Sequence, residues 1–391
     1  MPGEASSQNI GAGALLTILR DGRARTRAEL VQLTGLARST VSQRLDALMN
    51  HRWVVATEDA ISSGGRPAAA FAFNESVRVV LAADLGATHA RLAVIDLGMT
   101  VLLERAAELP IDRGPEATLG WLVTAFREML AEAGRDPAQV CGVGVGLPGP
   151  VEHTTGQPVN PPIMPGWDGF PVPEWLGGRL GAPVLVDNDV NIMALGEHWA
   201  ARPEADHMIF IKMGTGIGCG IVSDRRLHRG AQGAAGDVGH IRLGGSDVLC
   251  RCGNVGCVEA VAGGAALAAA LRAEGIDASG SRDVVALMRA GNTRAAQLVR
   301  QAGREVGGVM ASIVNFFNPS VIVIGGDIAE AGEHVLAGVR EVIYSRSLPL
   351  ATQHLGIRAS ELGDRAGVVG AAVMVVEYVL APDTIDRTVA G

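Results

Sequence analysis

Three cysteines, Cys250, Cys252 and Cys257, stand in a C-x-C-x4-C spacing, with His240 ten residues before the first of them. Thiolate and imidazole are ligands of tetrahedral zinc, and four of them close its shell with no position left for water. The spacing therefore predicts a structural metal, the alternative being a chance group of reactive thiols. Cys141 and Cys219 lie in apolar or glycine-rich strands and read as ordinary buried thiols. A second kind of chemistry lies at Val184-Leu185-Val186-Asp187-Asn188-Asp189, an apolar strand that ends in polar residues. A carboxylate at a strand end, beside an amide, can hold a sugar hydroxyl and accept its proton. That makes Asp189 the candidate general base of a phosphoryl transfer. Asn and Asp are equally good helix N-caps, and on sequence alone the two readings stand level.

Glycine turns supply the third kind. The strand Val79–Ala83 ends in Asp84-Leu85-Gly86-Ala87-Thr88. Small residues there let a backbone approach a phosphate, Thr88 can hydrogen-bond it, and Asp84 can position a magnesium shell. Met208–Met213 runs into Gly214-Thr215-Gly216, and the strand Val321–Ile324 ends in Gly325-Gly326. Each turn taken singly is a tight hairpin.

The elements that must position these residues fall into two parts. Residues 9–21 read as a helix with Ile10, Ala14, Leu15 and Ile18 on one face, and a second runs from Thr26, its cap, to Leu33, buried through Leu30 and Leu33. After the turn Thr34-Gly35-Leu36, a third helix starts at Arg38 with Val41, Leu45 and Leu48 as its apolar stripe. Helix, glycine turn, helix is the helix-turn-helix plan. Arg38, Ser39, Thr40, Gln43 and Arg44 on or beside the other face are side chains that reach base edges or phosphates. Trp53–Ala56 and Ala70–Phe73 read as a hairpin whose Ser62–Pro67 loop brings Arg66 to a wing tip. The alternative is a small helical dimerisation module.

Composition agrees with a two-part α/β chain. The 391 residues are 48% hydrophobic and 4% aromatic, with 52 glycines. Formal net charge is −8, yet residues 1–55 carry seven arginines against four acids, so any polyanion contact belongs to the N-terminus. Lys212 is the only lysine, a bias that reads as codon usage. No apolar run approaches membrane-spanning length, so a cytoplasmic location without a membrane partner is expected.

The two strand-turn-strand units resemble the duplicated, nucleotide-clamping lobes of the sugar kinase/actin/heat-shock-70 superfamily. More narrowly, Asp84–Thr88, Gly146-Leu147-Pro148-Gly149-Pro150, Asn188-Asp189, Gly214–Gly216, Gly236-Asp237-Val238-Gly239-His240 and Cys250–Glu259 occur in the order of the ROK family (repressors, open reading frames and kinases). The resemblance covers nearly the whole chain, and its cysteine motif is the most specific part. It implies a winged helix-turn-helix over residues 1–75 and an actin-like, ribonuclease H-like sugar-kinase domain over 76–391. Lobe one would take about 76–188 plus the C-terminal helix, and lobe two about 189–370. It further implies sugar binding by Gly149, Asn188, Asp189, Asp237, His240 and Glu259. Nucleotide contacts would fall to Asp84, Gly86, Thr88, Gly214, Thr215, Gly216, Gly325 and Gly326. Three positions depart from the kinases: Ala87 where a second glycine is usual, Asp237 where glutamate is usual, and Ile163-Met164 where Asn-Leu is frequent. A methyl at 87 crowds phosphates or resists a positive φ. The expected protein is a sugar-responsive regulator, binding operator DNA as a dimer or tetramer and taking a sugar or sugar phosphate. An ATP- and Mg2+-dependent sugar kinase with a DNA-binding head is the alternative.

Overall fold

The computed structural model describes residues 11–57 and 69–390. The wing loop, with Arg66, and Ile10 lie outside the described residues.

The head begins with α1 (Ala12–Leu19), followed by β1 (Arg25–Thr26), α2 (Arg27–Thr34), α3 (Arg38–Asn50), β2 (Val54–Thr57) and β3 (Ala70–Phe73). Thr26 caps α2 reciprocally with Glu29, and Gly35 closes it in the left-handed region (φ 70°) that a side chain resists. The apolar stripe of α3 buries Val41, Leu45 and Leu48 as expected. The strands form a sheet in the order β1-β3-β2, antiparallel throughout.

Two sequence expectations need correcting. Leu33 is 59% exposed; α2 enters the head's core through buried Leu30, with Val31 partly buried beside it. On α1 the buried face is Ala12, Gly13, Leu15, Leu16 and Leu19, whereas Ala14 and Ile18 are half-buried. That face is wider than a two-helix contact because α1 packs against both α3 and the C-terminal helix.

The larger part repeats one plan twice. First come β4 (Val79–Leu85), β5 (His89–Asp96), β6 (Val101–Glu108), α4 (Pro115–Glu132), β7 (Val140–Leu147), β8 (Val151–Glu152), β9 (Gln157–Pro158), α5 (Val172–Leu180), β10 (Val184–Asn188) and α6 (Asp189–Ala201). The second set is β11 (Met208–Met213), β12 (Ile217–Ser223), β13 (Arg226–Leu227), α7 (Val258–Ala262), α8 (Gly264–Ala273), α9 (Ser281–Arg289), α10 (Thr293–Phe317), β14 (Val321–Gly325), α11 (Glu333–Arg346), α12 (Pro349–Thr352) and β15 (Gly356–Ala359). The chain ends in α13 (Ala366–Val379) and α14 (Pro382–Ala390). The sheet orders are β10-β7-β4-β5-β6 and β13-β12-β11-β14-β15. In each, an antiparallel meander of three strands is extended by two parallel strands on the other side of the first. The matching topology is the duplication that the glycine turns suggested.

Between the sheets lie α6 and α13. Helix α6 packs on β11 and β12 of the second sheet, α13 packs on β4 and β7 of the first, and the two helices pack on each other. Their crossing brings backbones together: a Cβ at Gly370 would lie 1.7 Å from the Ile192 carbonyl oxygen, and one at Gly196 would lie 2.1 Å from that of Ala366. Only glycine fits at either point.

Candidate functional site

A cleft of about 390 Å3 opens between the two sheets. Strand β4 brings Asp84 to its wall, the β10–α6 junction brings Asn188 and Asp189, and the β11–β12 turn brings Gly214, Thr215 and Gly216. All six residues expected from resemblance to hold a sugar (Gly149, Asn188, Asp189, Asp237, His240 and Glu259) line this one cleft. Of the nucleotide set, Asp84, Gly214, Thr215, Gly216 and Gly326 line it, and Gly86, Thr88 and Gly325 do not. Thr88 is exposed beside it, its carbonyl accepting from the Leu109 amide at 3.0 Å. Gly325 is buried in β14, where a Cβ would lie 2.3 Å from the Phe210 ring. Ala87 is not among the residues with positive φ, so its methyl faces the cleft without backbone strain.

Asn188 is both N-cap and cleft wall. Its Oδ1 accepts from the Val190 amide at 2.9 Å and the Asn191 amide at 3.4 Å, while its Nδ2 donates to the Gly149 carbonyl at 2.9 Å. The cap ties the two expected sugar contacts together. Behind it, buried Asp187 accepts from the Asn191 amide group at 2.8 Å and from Arg229 Nε at 2.6 Å.

Sequence reasoning missed Lys212. Its ammonium, carried by β11 into the cleft, donates to Asp189 Oδ2. Burial works against the charged form of Lys212, yet the carboxylates of Asp189 and Asp84 outweigh it and hold its pKa above the ordinary lysine value. Burial also pushes the Asp84 carboxyl up to about 7, against the pull of Lys212. The imidazole of His89, on the same wall, is held below the ordinary histidine range by burial and then by Lys212. The signal was present as the one lysine of the chain, and codon usage does not explain where that lysine lies.

Glu259, at the start of α7, reaches the β11–β12 turn: its Oε2 accepts from the Ile217 amide at 3.0 Å. A Cβ at Gly216 would stand 2.3 Å from that oxygen, so a side chain there would have to push the carboxylate aside. Immediately before α7, His240, Cys250, Cys252 and Cys257 bring one ligand atom each to within 4.8 Å of one another. Cys250 Sγ lies 3.6 Å from His240 Nδ1, and Cys252 Sγ lies 3.7 Å from Cys257 Sγ. A tetrahedral zinc has edges of about 3.8 Å between sulfurs and about 3.6 Å between sulfur and nitrogen, given its usual bond lengths. The donor set therefore fits that ion. With Nδ1 turned to the cysteines, His240 presents Nε2 toward Asp237, 3.8 Å from its Oδ1, and toward the cleft.

In the head, Arg38, Ser39 and Gln43 are exposed on α3, while Thr40 and Arg44 are half-buried at its flanks. The head rests on the C-terminal helix. Asp386 of α14 accepts from the Gly13 amide at 2.9 Å, and a Cβ on Gly13 would lie 2.3 Å from the Pro382 carbonyl oxygen. Leu15, Leu16 and Leu19 share a buried cluster with Val379, Leu380 and Ile385.

Comparison with known proteins bears on both parts. The ROK family profile matches residues 80–378, and that of the IclR helix-turn-helix domain matches residues 12–58. The chain is 31% identical to a putative xylose repressor of Caldicellulosiruptor sp. (strain Rt8B.4), over 98% of this chain and all of that protein. A crystal structure of a ROK family transcriptional regulator, a homologue of the Escherichia coli MLC protein, superposes with a TM-score of 0.81 at 25% identity, covering 97% of this chain and 98% of that one. A ROK family glucokinase from Streptomyces griseus, solved with glucose and AMPPNP, gives a TM-score of 0.65 at 29% identity, covering 76% of this chain and 98% of that one.

Proposed function

The chain belongs to the ROK family, and from that premise we propose that it is a sugar-responsive transcriptional repressor of carbohydrate genes, its winged head reading operator DNA and its cleft holding the sugar. One observation carries the reading: the junction that bears Asn188 and Asp189 opens α6, α6 crosses α13 at glycine contacts, and α13 leads into the helix on which the head rests. Sensor and reader are thus joined by packed helices.

In this reading Gly149, Asn188, Asp189, Asp237, His240 and Glu259 bind hydroxyls. Arg38, Ser39, Thr40, Gln43, Arg44 and Arg66 contact DNA, with Arg38 and Arg66 suited to phosphates and Gln43 to a base edge. His240, Cys250, Cys252 and Cys257 hold a structural zinc. That ion fixes the loop carrying Asp237 and orients the His240 ring, so that Nε2 is left for a sugar hydroxyl. Two copies, or two pairs, place two heads on a two-fold operator, and closing the lobes alters the spacing between heads.

The test is an electrophoretic shift of the DNA upstream of the chain's own gene, with and without a panel of sugars. D-xylose comes first, because the similar full-length protein is described as a xylose repressor. At least one sugar is expected to change DNA affinity; if none does, the sensor reading fails. A kinase reading has one observation in its favour, Asp189 and the Gly214-Thr215-Gly216 turn facing one cleft. A coupled ATP assay over hexoses, N-acetylhexosamines and pentoses is expected to show little turnover. Robust phosphorylation abolished by Asp189→Asn would promote the kinase instead.

A further inference from the structure

Register places Lys212 where a long side chain has room. Its partners across the sheet are Gly218 on β12 and Gly325 on β14, so no side chain flanks it on either side. From there its ammonium meets Asp189, whose side chain is 5% exposed, and the Asp84 carboxylate on the opposite lobe lies within range of its charge. Two inward carboxylates facing one cleft repel each other unless a cation or a proton stands with them. Here Asp84 keeps its proton up to about 7, and Asp189 has a cation that is covalently part of the chain.

Arg91 is already paired with Glu104 and Asp364, and Arg282 with Asp327. The wall carries three cationic side chains against seven acidic ones, and with Asp84 protonated the formal excess is still three negative charges. Among the described residues, no cationic group of this cleft is left without a carboxylate partner.

We propose that Lys212 fixes the ligand class of the cleft: it is a tethered counter-cation that engages Asp189 and occupies the place of a metal, so the site holds an uncharged sugar and takes neither Mg2+ nor nucleotide. The inference rests on the sugar-binding reading of the cleft and narrows it to unphosphorylated sugars. A free carboxylate is what a general base requires, and Asp189 is not free. An incoming phosphate meets surplus negative charge with no spare arginine to receive it. The competing role for such a lysine is as a phosphate ligand, and it leads to the opposite result in the same experiment.

The test uses the full chain loaded with zinc, so that the cysteine site is filled. Mn2+ alone is titrated by electron paramagnetic resonance, and Mg-ATP by calorimetry, on the wild type, Lys212→Met and Lys212→Arg. The wild type and Lys212→Arg are expected to bind neither probe up to millimolar concentration. Lys212→Met is expected to gain one Mn2+ site per chain, tighter by at least about tenfold, because it leaves the Asp189 charge uncompensated. Adding Asp189→Asn should remove that site. Wild-type binding of Mg-ATP, lost in Lys212→Met, overturns the proposal and makes Lys212 a phosphate ligand. A folded Lys212→Met that gains no Mn2+ overturns it as well. Should that variant fail to fold, the wild-type titrations decide alone. The sugar-sensor reading is judged by the DNA shift, which contains neither nucleotide nor manganese, so the two can fail separately.

Discussion

Replacing Asp386 by alanine removes the N-cap of a helix 373 residues away in sequence. Helix α1 starts after Gly11, which has no side chain to cap it, and Asp386 of α14 supplies the missing acceptor to the Gly13 amide. Losing a cap costs about 0.5–2 kcal/mol. A carboxylate at a helix N-terminus contributes about another 0.3–1 kcal/mol through the macrodipole. The head–α14 junction should therefore weaken by about 1–3 kcal/mol, or about 5- to 150-fold in the equilibrium between docked and loosened heads. The apolar cluster of Leu15, Leu16 and Leu19 with Leu380 and Ile385 remains, so the head loosens without unfolding. Asp386→Asn keeps an oxygen acceptor and should lose only the charge contribution. Gly13→Ala is the converse perturbation. Alanine favours a helix by about 1 kcal/mol, but its methyl would stand 2.3 Å from the Pro382 carbonyl, a backbone clash that no rotamer relieves. Displacement wins, and α1 should again separate from α14. The assay pairs amide hydrogen exchange of the α1 and α14 peptides with operator affinity measured with and without sugar. Faster exchange together with a reduced effect of sugar on DNA binding is expected for Asp386→Ala. If exchange accelerates while the sugar effect stays whole, the signal does not pass through α14, and the coupling argument is refuted.

Two further outcomes follow from the site. Zinc should be present at one per chain by atomic absorption, and Cys257→Ser should lower both the zinc content and the melting temperature. An unchanged melting temperature after complete chelation would show that the four ligands staple nothing. Stability should also depend on pH through Asp84. The unfolded carboxyl ionises near 3.8, whereas the fold holds it neutral up to about 7. Between those values the unfolded chain binds fewer protons, so stability falls as pH rises from about 4 to 7. Urea denaturation across that window should show the slope, and Asp84→Asn should flatten it; an equal slope in the variant assigns the effect elsewhere.

What sequence reasoning reached depended on how local each signal was. The grouping of the C-x-C-x4-C cysteines, the Thr26 cap and the stripe Val41, Leu45, Leu48 are encoded within a few residues each, and all three are seen in the structure, where Glu29 completes the cap as a capping box. Leu33 was misplaced because helical spacing from Leu30 identifies a face, not whether anything covers its far flank. The buried face of α1 was misjudged because its second partner, α14, lies at the other end of the chain. Lys212 eluded the reading for the same physical reason. Its partner Asp189 is 23 residues away on another element, and only the packing of α6 on β11 brings them together. Gly86, Thr88 and Gly325 sit in the expected turns but do not line the cleft, Gly325 being held against Phe210.

The glycine crossings decide how a ligand in the cleft can act on DNA. Backbones that touch at Gly196 and Gly370 cannot slide without collision, so α6 and α13 behave as one hinge body rather than as two adjustable helices. The first sheet packs on this body through α13, where a Cβ at Gly144 would lie 2.3 Å from the Ala371 carbonyl oxygen, and the second sheet packs on it through α6, where a Cβ at Gly220 would lie 2.7 Å from the Val190 carbonyl oxygen. Across the cleft, Asp237, His240 and Glu259 belong to the loop and helix of the second sheet. In the proposed sensor, a sugar that bridges Asn188 and those residues favours whichever arrangement of the lobes gives it more hydrogen bonds. Binding then favours that arrangement by the bonds made only there, about 1 kcal/mol for each neutral one. Two such bonds bias the lobes by about tenfold or more. Because α14 continues from α13 and carries the head, a change in how the lobes meet at this body has a path to the head through α14.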